Sequence, residues 1–93
     1  MIVPDFLQPT YLMLEQAFPD GVSEKHYWII LYLLYDYMAD ENLAIVMSAF
    51  SGKSWEEVTN DLYGVCHMNF APKLLEEVKM KLDANGFEEW KEE

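Results

Sequence analysis

Residues 27–38 read Tyr-Trp-Ile-Ile-Leu-Tyr-Leu-Leu-Tyr-Asp-Tyr-Met, and the fold turns on how this stretch is read. The nine consecutive apolar or aromatic residues from Tyr27 to Tyr35 leave no polar face, so a helix made of them has to be covered over most of its circumference. A membrane-spanning helix needs about 20 apolar residues. This run is shorter, flanked by Glu24, Lys25 and His26 before it and by Asp36, Asp40 and Glu41 after it. A buried strand is the stronger rival, because Tyr, Trp and Ile favour sheets. Against a strand stand a length well beyond the usual ~5 to 6 residues, the leucine and methionine content, and the lack of a second strand-like run to pair with. The stretch is expected to be a central helix that the other elements surround.

Upstream of it, Ser23 is placed to cap this helix, its hydroxyl accepting from an amide two or three residues on. Pro19-Asp20-Gly21 makes the preceding turn, since proline cannot continue a helix and glycine accepts positive φ. A first helix is expected from Pro9, in its first turn, to Phe18, with Tyr11, Leu12, Leu14 and Phe18 on one side.

Downstream, Asp40 is placed to cap a third helix from Glu41 to about Ser51, in which Leu43, Val46, Met47 and Phe50 recur at the spacing of one buried face. Gly52 stops it. Ser54 with Glu57 three residues later forms a capping box for a fourth helix, Trp55 to Tyr63, closed by Gly64. Val65 to Ala71 has no periodicity and reads as a connection touching the core through Val65, Met68 and Phe70. Pro72 opens a fifth helix that ends before Gly86, with Leu75, Val78 and Leu82 as its stripe and Glu77 and Lys81 on a solvated face. The expected fold is all-α: a compact orthogonal bundle of four to five short helices around a buried central helix, as one domain over residues 1–93.

Composition narrows function. The net charge is -11, from 17 acids against 6 basic residues, all lysine. Arginine, which grips phosphates and base edges in a bidentate way, is absent. Direct nucleic-acid binding and docking on an anionic membrane are therefore disfavoured. The one cysteine, Cys66, has no intramolecular disulfide partner, and the start Met-Ile-Val-Pro-Asp lacks a basic signal-like region, so a cytoplasmic protein with a reduced thiol is expected.

The short motifs that could carry chemistry fail on spacing or context. Gly52-Lys53-Ser54 matches the end of a phosphate-binding loop, but its first glycine position holds Met47, and a helix precedes it where a strand is required. A helix-turn-helix around Gly52 would bring Glu56, Glu57 and Asp61 toward phosphates. His26, His67 and Cys66 lack zinc spacing, and Asp36, Asp40 and Glu41 lack the pattern of a calcium loop. Cys66 beside His67 is a neighbour pair in sequence, whereas catalytic triads are set in space. No catalytic, cofactor or metal residue is assigned.

The segment Ala17-Phe18-Pro19-Asp20-Gly21-Val22-Ser23, followed by Tyr27 and then Leu31, Leu33 and Leu34, resembles a small bacterial all-helical family of unknown function. That family has a Tyr/Phe-Pro-x-Gly-Val turn before a leucine-rich central helix. Val78, Leu82, Gly86 and Phe87 resemble its last helix, stopped by glycine and an aromatic. Ser23 stands where the family has proline and His26 where it has an acid. The resemblance implies several helices and, at most, protein interaction.

The expected function is a non-enzymatic protein-interaction domain, with an acidic decoy for a basic nucleic-acid-binding protein or toxin as the alternative. Aromatics make up 15% of the chain, and Trp55, Phe87 and Trp90 near helix ends are the candidate partner-binding residues. For Phe87, directly after Gly86, packing back onto the helix end is the competing expectation.

Overall fold

The computed structural model describes residues 3–92; Met1, Ile2 and Glu93, and with them the ends of the expected 1–93 domain, lie outside the described residues. A single 3-10 turn, Asp5–Leu7, leads into α1 (Gln8–Ala17), followed by α2 (Glu24–Tyr35), α3 (Asp40–Ser51), α4 (Trp55–Val65), α5 (Pro72–Asp83) and α6 (Phe87–Lys91). Among the described residues the fold is all helical.

α2 is the hub that its sequence demands, packing against α3, α4 and α5, while α1 lies on α3 and α5. Tyr27, Ile29, Ile30, Leu31 and Leu34 are buried, and Trp28, Leu33 and Tyr35 are half-buried against the same core. Within the nine-residue run Tyr32 alone faces solvent, its ring edge against Phe70 at 5.3 Å. Each fully buried Ile or Leu contributes about 1.5–3 kcal/mol of transfer free energy, which is why a segment with almost no polar face is stable inside this jacket. Ser23 caps it as expected, accepting from the His26 amide at 3.3 Å.

The neighbours supply matching faces: Leu43, Ala44, Val46 and Met47 from α3, Val58, Leu62 and Val65 from α4, Val78 and Leu82 from α5. The Cα radius of gyration, 12.1 Å, matches the ~12 Å of a close-packed chain this long.

Four boundaries differ from the sequence expectation. α1 begins at Gln8 and is preceded by the 3-10 turn, because Pro4 starts that turn and Leu7 inserts into the core. Asp40 is the first residue of α3 rather than its cap; Ala39 holds the cap position, and Asp40 and Glu41 instead place negative charge at the positive helix end. Gly64 does not close α4. The helix runs through it to Val65, whose full burial outweighs the weak helix preference of glycine. The tail is itself helical: Gly86 adopts φ +92 after α5, and that left-handed residue turns the chain back so that α6 meets α1 and α5. Among the described residues the helices therefore number six, where four to five were expected.

Candidate functional site

Three segments converge at one end of the bundle: the 3-10 turn with the start of α1, the turn between α2 and α3, and α6. They enclose a groove of about 240 Å³ whose walls include Phe6, Thr10, Tyr37, Asn42, Trp90 and Lys91. The local sequence explains how each side chain arrives there. In the short turn between Pro4 and Pro9 only one of two adjacent large residues can face the core; Leu7 does so, and Phe6 is left 68% exposed. Tyr37 follows the end of α2 and is 51% exposed. Asn42 comes from the first turn of α3.

α6 is held in place by two aromatics one turn apart. Phe87 is buried, and Trp90 stacks on it with ring centroids 5.7 Å apart and planes 18° from parallel. The Trp90 indole Nε1 donates to Thr10 Oγ1 at 2.7 Å, joining chain segments 80 residues apart. Tyr37 presents its ring nearly perpendicular to both, at 6.1 Å from Phe87 and 6.3 Å from Trp90. Lys91 bonds to Glu88 and holds its ammonium 5.4 Å from the Tyr37 ring centroid.

The structure separates the three residues singled out from sequence. Trp90 is half-buried and lines the groove. Phe87 supports the groove from beneath and, at 2% exposure, offers no surface to a partner; packing after Gly86 accounts for it. Trp55, 39% exposed at the start of α4, lies outside the groove walls. Phe6 and Tyr37 were missed. For Phe6 the available signal was its adjacency to Leu7 between two prolines.

A second cluster lies at the N-terminal end of α2, whereas the groove lies beyond its C-terminal end. Lys53, in the α3–α4 connection, sits 3.9 Å above the Tyr27 ring centroid and bonds to Glu24 at 3.1 Å and Asp61 at 3.3 Å. The Tyr27 hydroxyl donates to Asp61 Oδ2 at 2.7 Å, and Trp28 Nε1 donates to Glu24 at 3.2 Å. Burial, then the bond to Asp61, pushes the Tyr27 hydroxyl pKa well above its ordinary value. Burial pulls the Lys53 ammonium down, but its bonds to Glu24 and Asp61 outweigh that and raise it. An anion approaching Lys53 would meet two carboxylates already bound there. Ser54 is likewise engaged in the capping box with Glu57, so Gly52-Lys53-Ser54 serves helix geometry.

A second groove of about 230 Å³ runs between α2 and the start of α5, walled by Trp28, Met68, Phe70 and Leu74. Cys66 and His67 are exposed beyond the end of α4 and lie outside its walls. Among the described residues no three His, Cys, Asp or Glu side chains gather as a metal site, and no helix is long and apolar enough to cross a membrane.

No family model, curated protein or solved structure matches the chain.

Proposed function

We propose that this chain is a non-enzymatic, cytoplasmic protein-interaction domain that docks another protein on the groove formed by the 3-10 turn, the α2–α3 turn and α6. The observation that carries this reading is the pair Phe6 and Tyr37, exposed by 68% and 51% at the mouth of a groove floored by Trp90. Two large aromatics converging at a concave surface are the composition of an interface anchor, because they bury much area at little conformational cost. At about 240 Å³ the groove falls below the ~300–1,000 Å³ typical of small-molecule sites, and it has room for one large apolar side chain.

The Phe18-Pro19-Asp20-Gly21-Val22 turn before the leucine-rich α2 supports placing the chain with the bacterial helical family it resembles. Gly21 at φ +90 gives that turn a physical reason for its glycine.

Affinity capture tests the proposal. A stoichiometric protein should stay with the tagged chain through gel filtration and be lost from a Phe6→Ser, Tyr37→Ser double variant. Strict monomer behaviour with no retained partner counts against it.

The net charge of -11 favours a second reading, an acidic decoy that covers the nucleic-acid site of a basic protein or toxin. Competition decides it: a decoy's partner releases duplex DNA or RNA as the chain is added, and that competition collapses at high salt.

A further inference from the structure

We propose that Asn85 is a site of spontaneous modification, where ring closure onto Gly86 turns asparagine into isoaspartate and aspartate and thereby loosens α6. The site does not depend on what the groove binds.

The chain has four asparagines, Asn42, Asn60, Asn69 and Asn85, and Asn85 alone is followed by glycine. In this reaction the next residue's backbone nitrogen attacks the side-chain carbonyl carbon. A side chain on that next residue obstructs the approach, and glycine leaves it open. The other three asparagines are hindered. Asn42 and Asn60 lie inside α3 and α4, where the following amide is held in the helix ladder; that of Leu43 donates to the Ala39 carbonyl at 2.9 Å. Asn69 lies in the α4–α5 connection, but Phe70 follows it.

At Asn85 the local geometry is permissive. The Gly86 amide reaches the Asp83 carbonyl at 3.4 Å, longer than a good hydrogen bond, so its proton is lightly held. A methyl placed on Gly86 would meet nothing closer than Glu89 Oε2 at 4.0 Å. A cavity of about 190 Å³ opens beside the link, with Asn85, Gly86, Glu89 and Trp90 in its walls, and gives room for the ring and for water.

The steps balance with water alone. Solvent base removes the Gly86 amide proton, the nitrogen bonds to Asn85 Cγ, and the Cγ–Nδ2 bond breaks; Nδ2 takes a proton from water and leaves as ammonia. Water then opens the cyclic imide. Attack at Cγ gives aspartate. Attack at the backbone carbonyl of residue 85 gives isoaspartate, whose main chain runs through the former side chain and is one carbon longer.

Both products act on α6 through contacts already in place. Asn85 Nδ2 donates to the Lys81 carbonyl at 2.8 Å, one of the carbonyls that the end of α5 leaves without a helical partner. A carboxylate cannot donate there, and it adds negative charge near Asp83 at the negative end of α5. Gly86 at φ +92 aims α6 so that Phe87 is buried and Trp90 donates to Thr10 at 2.7 Å. The longer link of isoaspartate misplaces both contacts.

The test is ageing of the full chain in mildly alkaline buffer at body temperature, followed by peptide mapping. Isoaspartate is identified by enzymatic methylation of its α-carboxyl. Conversion at residue 85, read as replacement of the side-chain NH2 by OH, should precede conversion at Asn42, Asn60 and Asn69. In the isolated isoaspartate form the Trp90 amide should exchange at least about fivefold faster, the effect of losing about one hydrogen bond, while amides in α2 change less. Asn85→Gln, whose longer side chain closes a ring far more slowly, should keep its Trp90 protection through the same ageing, with folding checked by circular dichroism. If that variant does not fold, the unaltered chain held in mildly acidic buffer, where imide formation is suppressed, takes its place as the control.

Asn85 left unconverted, or converting no faster than Asn69, overturns the site. Conversion that leaves Trp90 protection unchanged overturns the loosening of α6, and so does an equal loss of protection in the control.

Discussion

The hydroxyl of Tyr27 donates to Asp61 Oδ2 at 2.7 Å across 34 residues of chain, and this one bond ties the hub helix α2 to α4. Lys53 shares the same carboxylate oxygen at 3.3 Å and lies over the same ring, so Asp61 is the common acceptor of two donors on different elements. Removing the acceptor should therefore cost more than removing either donor. Tyr27→Phe keeps the buried ring and leaves Asp61 bonded to Lys53; it should cost about 0.5–1.5 kcal/mol. Asp61→Ala strands the phenol and weakens the hold on Lys53, and should cost about 1–3 kcal/mol. Urea unfolding midpoints rank the two, and a Tyr27→Phe loss larger than that of Asp61→Ala would show that the network is not organised around Asp61.

The same cluster sets an alkaline limit. Burial and the bond to Asp61 raise the Tyr27 pKa above its ordinary 10.0, and despite burial the bonds to Glu24 and Asp61 raise Lys53 above its ordinary 10.5. Both groups hold their protons more tightly folded than unfolded. Linkage then gives stability that is fully present below pH ~10 and falls as pH climbs past the unfolded-state values, because the unfolded chain releases protons first. Urea midpoints measured from pH 8 to about 11 should decline above pH ~10. Tyr27→Phe should flatten that decline, and an unchanged slope in the variant would remove Tyr27 as its source.

Two glycines make opposite predictions for one substitution. A methyl added at Gly52 or at Gly64 meets no atom within 4 Å, so packing is neutral at both and only the backbone decides. Gly52 ends α3 at φ +82, the left-handed region that costs an L-residue roughly 1 kcal/mol or more. Gly64 sits within α4, where alanine is favoured over glycine by up to about 1 kcal/mol. Gly52→Ala should lower the melting temperature and Gly64→Ala should raise it, read by calorimetry on both variants. The same sign for both would mean that contacts with the added methyl, rather than φ, govern these positions.

How much of this was legible in the sequence depends on whether a residue's role was set locally. The Ser54–Glu57 capping box, the Ser23 cap, the stop at Gly52 and the apolar helix at Tyr27 are decided by neighbours a few residues away, and pattern alone located them. Gly64 misled because its effect depends on Val65, whose burial is a tertiary fact. The groove was legible only through Trp90. Phe6 and Tyr37 carry no periodic signal, and what makes them a surface is the return of α6 across the start of α1, which Gly86 permits but does not announce. Phe87 differs from Trp90 in following Gly86 directly, which is a local reason to pack back on the helix end; the fold buries the first and leaves the second half-covered.

The bond from Trp90 to Thr10 is the only side-chain hydrogen bond found between α6 and α1 among the described residues, and it sets the floor of the groove. Thr10 is 4% exposed, so a substitution there leaves the indole donor facing an apolar neighbour with little water to replace the lost acceptor. Thr10→Val, nearly isosteric, should cost about 1–3 kcal/mol, and Thr10→Ser, which keeps the hydroxyl, should recover most of it. Phe87→Ala removes the buried ring on which Trp90 stacks and should cost more, about 3–5 kcal/mol. Equilibrium unfolding gives the ranking, and amide exchange in α6 gives the local consequence: protection of the Trp90 amide, which bonds to the Gly86 carbonyl at 2.9 Å, should drop in Thr10→Val beyond the global loss. If Thr10→Val matched the unaltered chain in both measurements, α6 would be anchored by Phe87 alone and the groove floor would owe nothing to the Thr10 hydroxyl.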